Sequence, residues 1–162
     1  MASSCLFYLA VEGVLLPRSA ASSEPSTDTY QFRDRPHATQ LMDLLREQEH
    51  VRVVVNSVWV ASFGFRYVLD LLPYSLRHRV IGATVPGNRM LCRRRHIEPN
   101  GRCTCLAADV QRRDPAVLTV LDSDALYVPV PLRDDTVIVP RGLWAAQLDD
   151  WSRLRDKLAR KA

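Results

Sequence analysis

The sequence lacks the features that would send a chain into a membrane. No apolar run approaches the roughly 20 residues that a bilayer-spanning helix needs, so no membrane partner is expected. The opening MASSCLFYLAVEG has no basic region and meets an acid early, at Glu12, which makes a poor secretory signal. Cysteines are few: Cys5, Cys92, Cys103 and Cys105. Without an export signal they are expected as reduced thiols in the cytoplasm rather than as a disulfide framework. No internal repeat is visible, which argues against a solenoid. Neither sign of charge dominates, since 18 acids offset 22 bases and leave a formal net charge of +4. That balance permits a polyanionic ligand without demanding one.

What is present suits one globular domain. The chain has 162 residues, 47% of them apolar and 25% charged, enough for a substantial core. Leu6 to Val11 is a short apolar run rich in aromatic and branched residues, followed by Glu12, Gly13 and a second apolar run, Val14 to Leu16. A buried parallel strand reads this way, apolar almost throughout and then polar where the chain leaves the sheet. Ligands of open α/β sheets bind at such exits, so Glu12 is a candidate for chemistry. The plainer reading is a solvated acid before a turn glycine.

Residues 18–36 begin with RSAASSEPSTDT, small and polar, and are expected to form a loop or flap inserted after the first strand. Pro36 opens a helix whose apolar face carries Leu41, Met42, Leu44 and Leu45. His50 to Val55 is the second strand and exits into Asn56 and Ser57. Trp59 to Leu72 is expected to be one helix, ended by Pro73. Val80 and Ile81 make a short strand, and Val85 to Gly101 reads as irregular chain. Leu106 to Arg113 is a helix stopped by Asp114 and Pro115, and Ala116 to Leu121 a strand that exits into Asp122, Ser123 and Asp124. Thr136 to Val139 is a last strand. From Gly142 a helix is expected, with Trp144, Leu148, Trp151, Leu154 and Leu158 at spacings of three and four.

Strands alternate with helices throughout. The expected fold is therefore three-layered α/β and Rossmann-like, with a mostly parallel sheet and Leu6–Val11 at its centre. If the three polar exits are neighbours, Glu12, Ser57 and Asp122 share one crevice. Each has a bland alternative. Ser57 could cap the helix that begins near Trp59. Asp122 and Asp124 could be ordinary turn acids, although two acids at one strand exit favour a cation site. The tryptophans read as packing residues. Arg93, Arg94, Arg95 and His96 could be a solvated loop or could touch phosphates of nucleic acid. Cys92, His96, Cys103 and Cys105 offer a zinc donor set, but Cys103 and Cys105 are separated by one residue, which is not a usual zinc spacing, so zinc is not expected.

In their order, these segments resemble the haloacid dehalogenase-like (HAD) phosphohydrolases. Leu9 to Pro17, LAVEGVLLP, is similar to the opening motif D-x-D-G-V-L. Val53 to Trp59, VVVNSVW, resembles the segment that ends in the family's Ser/Thr. Val117 to Asp124, VLTVLDSD, resembles the acidic motif of the fourth strand. By position, the resemblance assigns the acid/base to Glu12, a phosphate-gripping hydroxyl to Ser57, and magnesium ligands to Asp122 and Asp124 together with Glu12. It assigns the phosphate-gripping base to Arg102, with Arg95 behind it. At the position of the nucleophilic aspartate stands Ala10.

That departure shapes the expected function. A methyl group cannot attack phosphorus to form an aspartyl phosphate, nor can it hold a metal, so any Mg²⁺ site is weakened. The expectation is a HAD-like domain that has lost aspartyl-phosphate catalysis and acts as a binding or regulatory module, with a phosphate-containing small molecule or a protein as its partner. One alternative is a metal-dependent phosphohydrolase using Glu12 and Asp122. Another is an interaction protein that binds nucleic acid or an acidic partner through the basic loop 89–96.

Overall fold

The structure is a computed structural model and describes residues 5–17, 35–85 and 101–161. Five parallel strands form one sheet in the order β3-β2-β1-β4-β5. They are β1 (Cys5–Ala10), β2 (Val51–Asn56), β3 (Val80–Ala83), β4 (Val117–Asp122) and β5 (Thr136–Ile138). β1 is central, as its unbroken apolar run implies, and all six of its residues are buried.

Alternate residues of β1 serve two cores. Phe7 and Leu9 join the larger one, with Leu41, Leu44 and Leu45 of α1 (Pro36–Arg46) and Trp151, Leu154 and Leu158 of α6 (Leu148–Leu158). Leu6 and Tyr8 join the smaller one, with Leu106 of α5 (Gly101–Arg113). The fold is thus a three-layer α/β sandwich, as expected from the alternating pattern. Burying a leucine or phenylalanine of these clusters stabilises it by about 1.5–3 kcal/mol. Among the described residues no helix is long and apolar enough to cross a membrane.

Three helices depart from the sequence expectation. The helix expected over Trp59–Leu72 is two, α2 (Trp59–Phe63) and α3 (Phe65–Leu71), with a further turn, α4 (Tyr74–Arg77), after Pro73. Gly64 separates α2 from α3 at φ 95°, a left-handed value that glycine adopts at little cost. α5, described over Gly101–Arg113, extends N-terminal of the expected start at Leu106. The helix expected from Gly142 starts at Leu148, after a 3-10 turn at Leu143–Ala145, where Gln147 and Asp150 form a reciprocal cap. Leu148 is 84% exposed and Trp144 44%, so neither belongs to the buried stripe.

The proposed insertion at 18–36 lies outside the described residues except for Arg35 and Pro36, as do the basic loop 89–96 with Arg95, and Cys92 and His96.

Candidate functional site

The three polar strand exits meet at the carboxyl ends of β1, β2 and β4, which are adjacent in the sheet. β1 ends at Ala10, fully buried and in register with Asn56 of β2. The chain then turns tightly. Gly13, at φ 80°, donates its N–H to the Leu16 carbonyl at 2.7 Å, and Glu12 bridges to Leu16. This turn aims the Glu12 side chain across the sheet toward β2.

Both Glu12 oxygens are engaged. Oε2 accepts from the Ser57 hydroxyl at 2.5 Å. Oε1 accepts from the Val58 backbone N–H at 2.9 Å and from Arg102 Nη1 at 2.7 Å. Ser57 Oγ also accepts from the Trp59 N–H at 3.2 Å, so it supports the entry to α2 and holds Glu12 at once.

Arg102 lies in the first turn of α5 and is 1% exposed. Its second terminal nitrogen, Nη2, donates to Asp122 Oδ1 at 2.5 Å, and its Cζ stacks 4.5 Å from the centre of the Tyr127 ring. Asp122 Oδ1 also accepts the Ser123 N–H at 2.7 Å, while Oδ2 is buried without a partner among the described residues. One guanidinium therefore bridges two buried carboxylates. Burial pushes Arg102 down, but Glu12 and Asp122 outweigh it and hold the group above its ordinary value. Burial pushes Asp122 up to about 6, which the pull of Arg102 only partly offsets. The two shifts are compatible, because a single positive charge cannot fully compensate two negative ones in a dry crevice. Asp122, with its unpartnered oxygen, carries the deficit.

Asp124 stands apart. Its carboxylate accepts the Leu126 N–H at 2.9 Å and caps the 3-10 turn Ala125–Tyr127. Cys103 and Cys105 are free thiols on α5. Among the described residues no group of three or more His, Cys, Asp or Glu side chains could hold a metal ion. Sequence reasoning brought Glu12, Ser57, Arg102 and Asp122 to the crevice but missed the Val58 amide and the Tyr127 ring, neither of which carries a sequence signal.

The donor set suits Mg²⁺ poorly. That ion demands near-octahedral oxygen at close range. The Ala10 side chain contributes no oxygen, both Glu12 carboxylate oxygens already accept hydrogen bonds, and the Arg102 guanidinium pairs with both Glu12 and Asp122, the acids that would hold a metal. Asp122 Oδ2 is the one carboxylate oxygen of the pair left without a partner among the described residues.

No curated protein and no solved structure matches the chain significantly. A family model does match, over residues 6–158, and it spans all five strands and the crevice. The chain belongs to the family described as the HAD domain in Swiss Army Knife RNA repair proteins.

Proposed function

We propose that this HAD domain no longer performs aspartyl-phosphate chemistry and serves as a non-catalytic binding or regulatory module. One observation carries the reading: Arg102 is clamped between Glu12 and Asp122 at the end of a strand that terminates in Ala10. Catalysis by this scaffold needs a carboxylate nucleophile and a cation beside it. Here the first position holds a methyl group, and the crevice's positive charge belongs to a side chain. Losing a nucleophile that works as part of a unit costs roughly 10⁴–10⁶-fold in rate.

The alternative in which Glu12 activates water fits less well, because both Glu12 oxygens already accept hydrogen bonds. Arg102 is read as a structural cation rather than a phosphate grip, and Asp124 as a turn cap rather than a metal ligand. The family's description suggests RNA repair as the setting, with a phosphate-bearing partner or a protein of that system as what the module contacts.

The test is hydrolysis of p-nitrophenyl phosphate and of 5′- and 3′-phosphorylated RNA oligonucleotides with Mg²⁺. No turnover above an Asp122→Ala control is expected. Turnover that disappears in Glu12→Gln would establish the metal-dependent hydrolase instead.

A further inference from the structure

The two faces of the sheet are covered unequally. Buried apolar residues of α1, α2, α3, α4 and α6 join the larger core, and α5 is the one α-helix among the described residues whose buried leucine, Leu106, joins the smaller. On that second face Arg52 of β2 is exposed. It stands in register with Leu6 and two residues before Val54, both members of the smaller core, so its side chain leaves the sheet on the α5 side. Gly82 of β3 is in register with Val54, and a Cβ there would stand 2.7 Å from Arg113 Nη2, which sets the last turn of α5 against β3. Arg113 Nε donates to Asp109 Oδ2 at 2.7 Å, and Arg112, 63% exposed, pairs with the other oxygen of the same carboxylate. Arg79 and Arg52 each precede one member of the Val53–Val80 pair, so they are neighbours across β2 and β3. Arg79 donates to the Gln48 carbonyl at 2.8 Å, a bond that leaves its charge unmet. Four guanidinium groups thus meet one buried carboxylate, an excess of three positive charges, or of two when the exposed Asp114 is counted.

We propose that this shelf, formed by Arg52, Arg79, Arg112 and Arg113 beside α5, is a docking surface for RNA, which it holds through the phosphate backbone. Closely set guanidinium groups match phosphate oxygens in charge and in hydrogen-bond geometry. A partner protein helix would need an apolar groove with anchors at helical spacing. Ile81, 47% exposed beside the irregularity of β3, is the one large exposed hydrophobic residue among the described residues of β2, β3 and α5. Those elements present no exposed aromatic ring either, so base stacking has no platform and the contact is independent of sequence. The shelf is separate from the crevice. Arg102 opens α5 at the crevice, whereas Arg112 and Arg113 close the same helix roughly 15 Å further on, at 1.5 Å per residue. The choice of RNA rests on the setting given under the proposed function; the positive excess and its placement do not.

The experiment is fluorescence anisotropy of a labelled single-stranded RNA oligonucleotide titrated with the whole chain, in EDTA and over a series of salt concentrations. Binding is expected, with log K falling against log salt at a slope of about −2, the value for roughly three phosphate contacts. Arg52→Gln combined with Arg112→Gln should weaken binding at least about tenfold and bring the slope to about −0.7. Arg52→Gln alone, at an exposed residue with no ion pair among the described residues, keeps the test open should the double variant fail to fold; it should lower the slope by about 0.7. Arg153→Gln combined with Arg155→Gln removes the same charge from α6 on the other face, and should leave the affinity nearly unchanged. No binding by the unmodified chain, or an equal loss in the two double variants, would overturn the proposal. So would displacement of the RNA by polyglutamate as effectively as by unlabelled RNA, or tighter binding of DNA of the same sequence. Hydrolysis is not read in this titration, so its failure would leave the catalytic silence of the crevice standing.

Discussion

Arg102 Nη2 donates to Asp122 Oδ1 at 2.5 Å, and neither side chain is more than 2% exposed. With Glu12 on its other terminal nitrogen, this arginine is the only counter-charge among the described residues that touches either carboxylate. The crevice depends on it electrostatically in the way that a metal site depends on its ion.

Removing that charge is therefore costly. Arg102→Met leaves two buried carboxylates facing each other, and breaking a buried pair in this way costs about 3–5 kcal/mol. Arg102→Lys should fall between, because one ammonium lacks the fork that reaches both acids. Urea denaturation of the three proteins checks the order. A neutral Arg102→Met would show that the triad contributes little to the fold.

The pH dependence follows from Asp122. Its folded pKa is raised to about 6, whereas an unfolded aspartate titrates near ~3.9. Between the two, the folded state holds a proton that the unfolded state has released. The Asp122 contribution to stability is present below the unfolded value and is lost as pH rises through the folded one, by on the order of 2–3 kcal/mol. Asp122→Asn has no proton to lose. The stability difference between parent and variant should therefore shift in the variant's favour from acidic to neutral pH. A difference that is flat with pH would contradict the raised value.

Restoring the missing acid should fail on its own. Ala10 is fully buried, so Ala10→Asp adds a third carboxylate to a crevice with one cation among the described residues, and several kcal/mol of destabilisation is expected. Combined with Arg102→Gln, the same change vacates the cation's place and adds a hard oxygen ligand. The melting temperature of the double variant should then rise with Mg²⁺, while that of the parent should not. An equal rise in the parent would show a metal site already competent.

The truncation Leu154→Ala tests the larger core independently of the crevice. Leu154 is 1% exposed on α6, and a loss of about 2–5 kcal/mol is expected by chemical denaturation.

The strands were legible because buried parallel strands are continuous apolar runs, and their exits marked Glu12, Ser57 and Asp122. The resemblance added Arg102 as a candidate but not its partners. A buried arginine reads as polar, so the first turn of α5 showed no apolar face and the helix was expected to start late. Its burial is stabilised by acids 90 and 20 residues away in sequence, which no local pattern reports. The break at Gly64 was invisible for the opposite reason. The apolar period continues across it, and only the backbone angle reveals the interruption. Asp124 was assigned as a metal ligand by the resemblance and by its place beside Asp122 at a strand exit; its carboxylate accepts from the Leu126 amide, a contact no sequence pattern reports.

The central claim is that the charge of the two crevice carboxylates is met by Arg102, a side chain of the protein, rather than by a metal ion. Crystals grown with excess Mn²⁺ in place of Mg²⁺ test it most directly, through anomalous scattering at the manganese edge. The account expects the Arg102 guanidinium between Glu12 and Asp122 and no anomalous peak there. A manganese peak coordinated by Glu12 and Asp122, with Arg102 displaced, would contradict it.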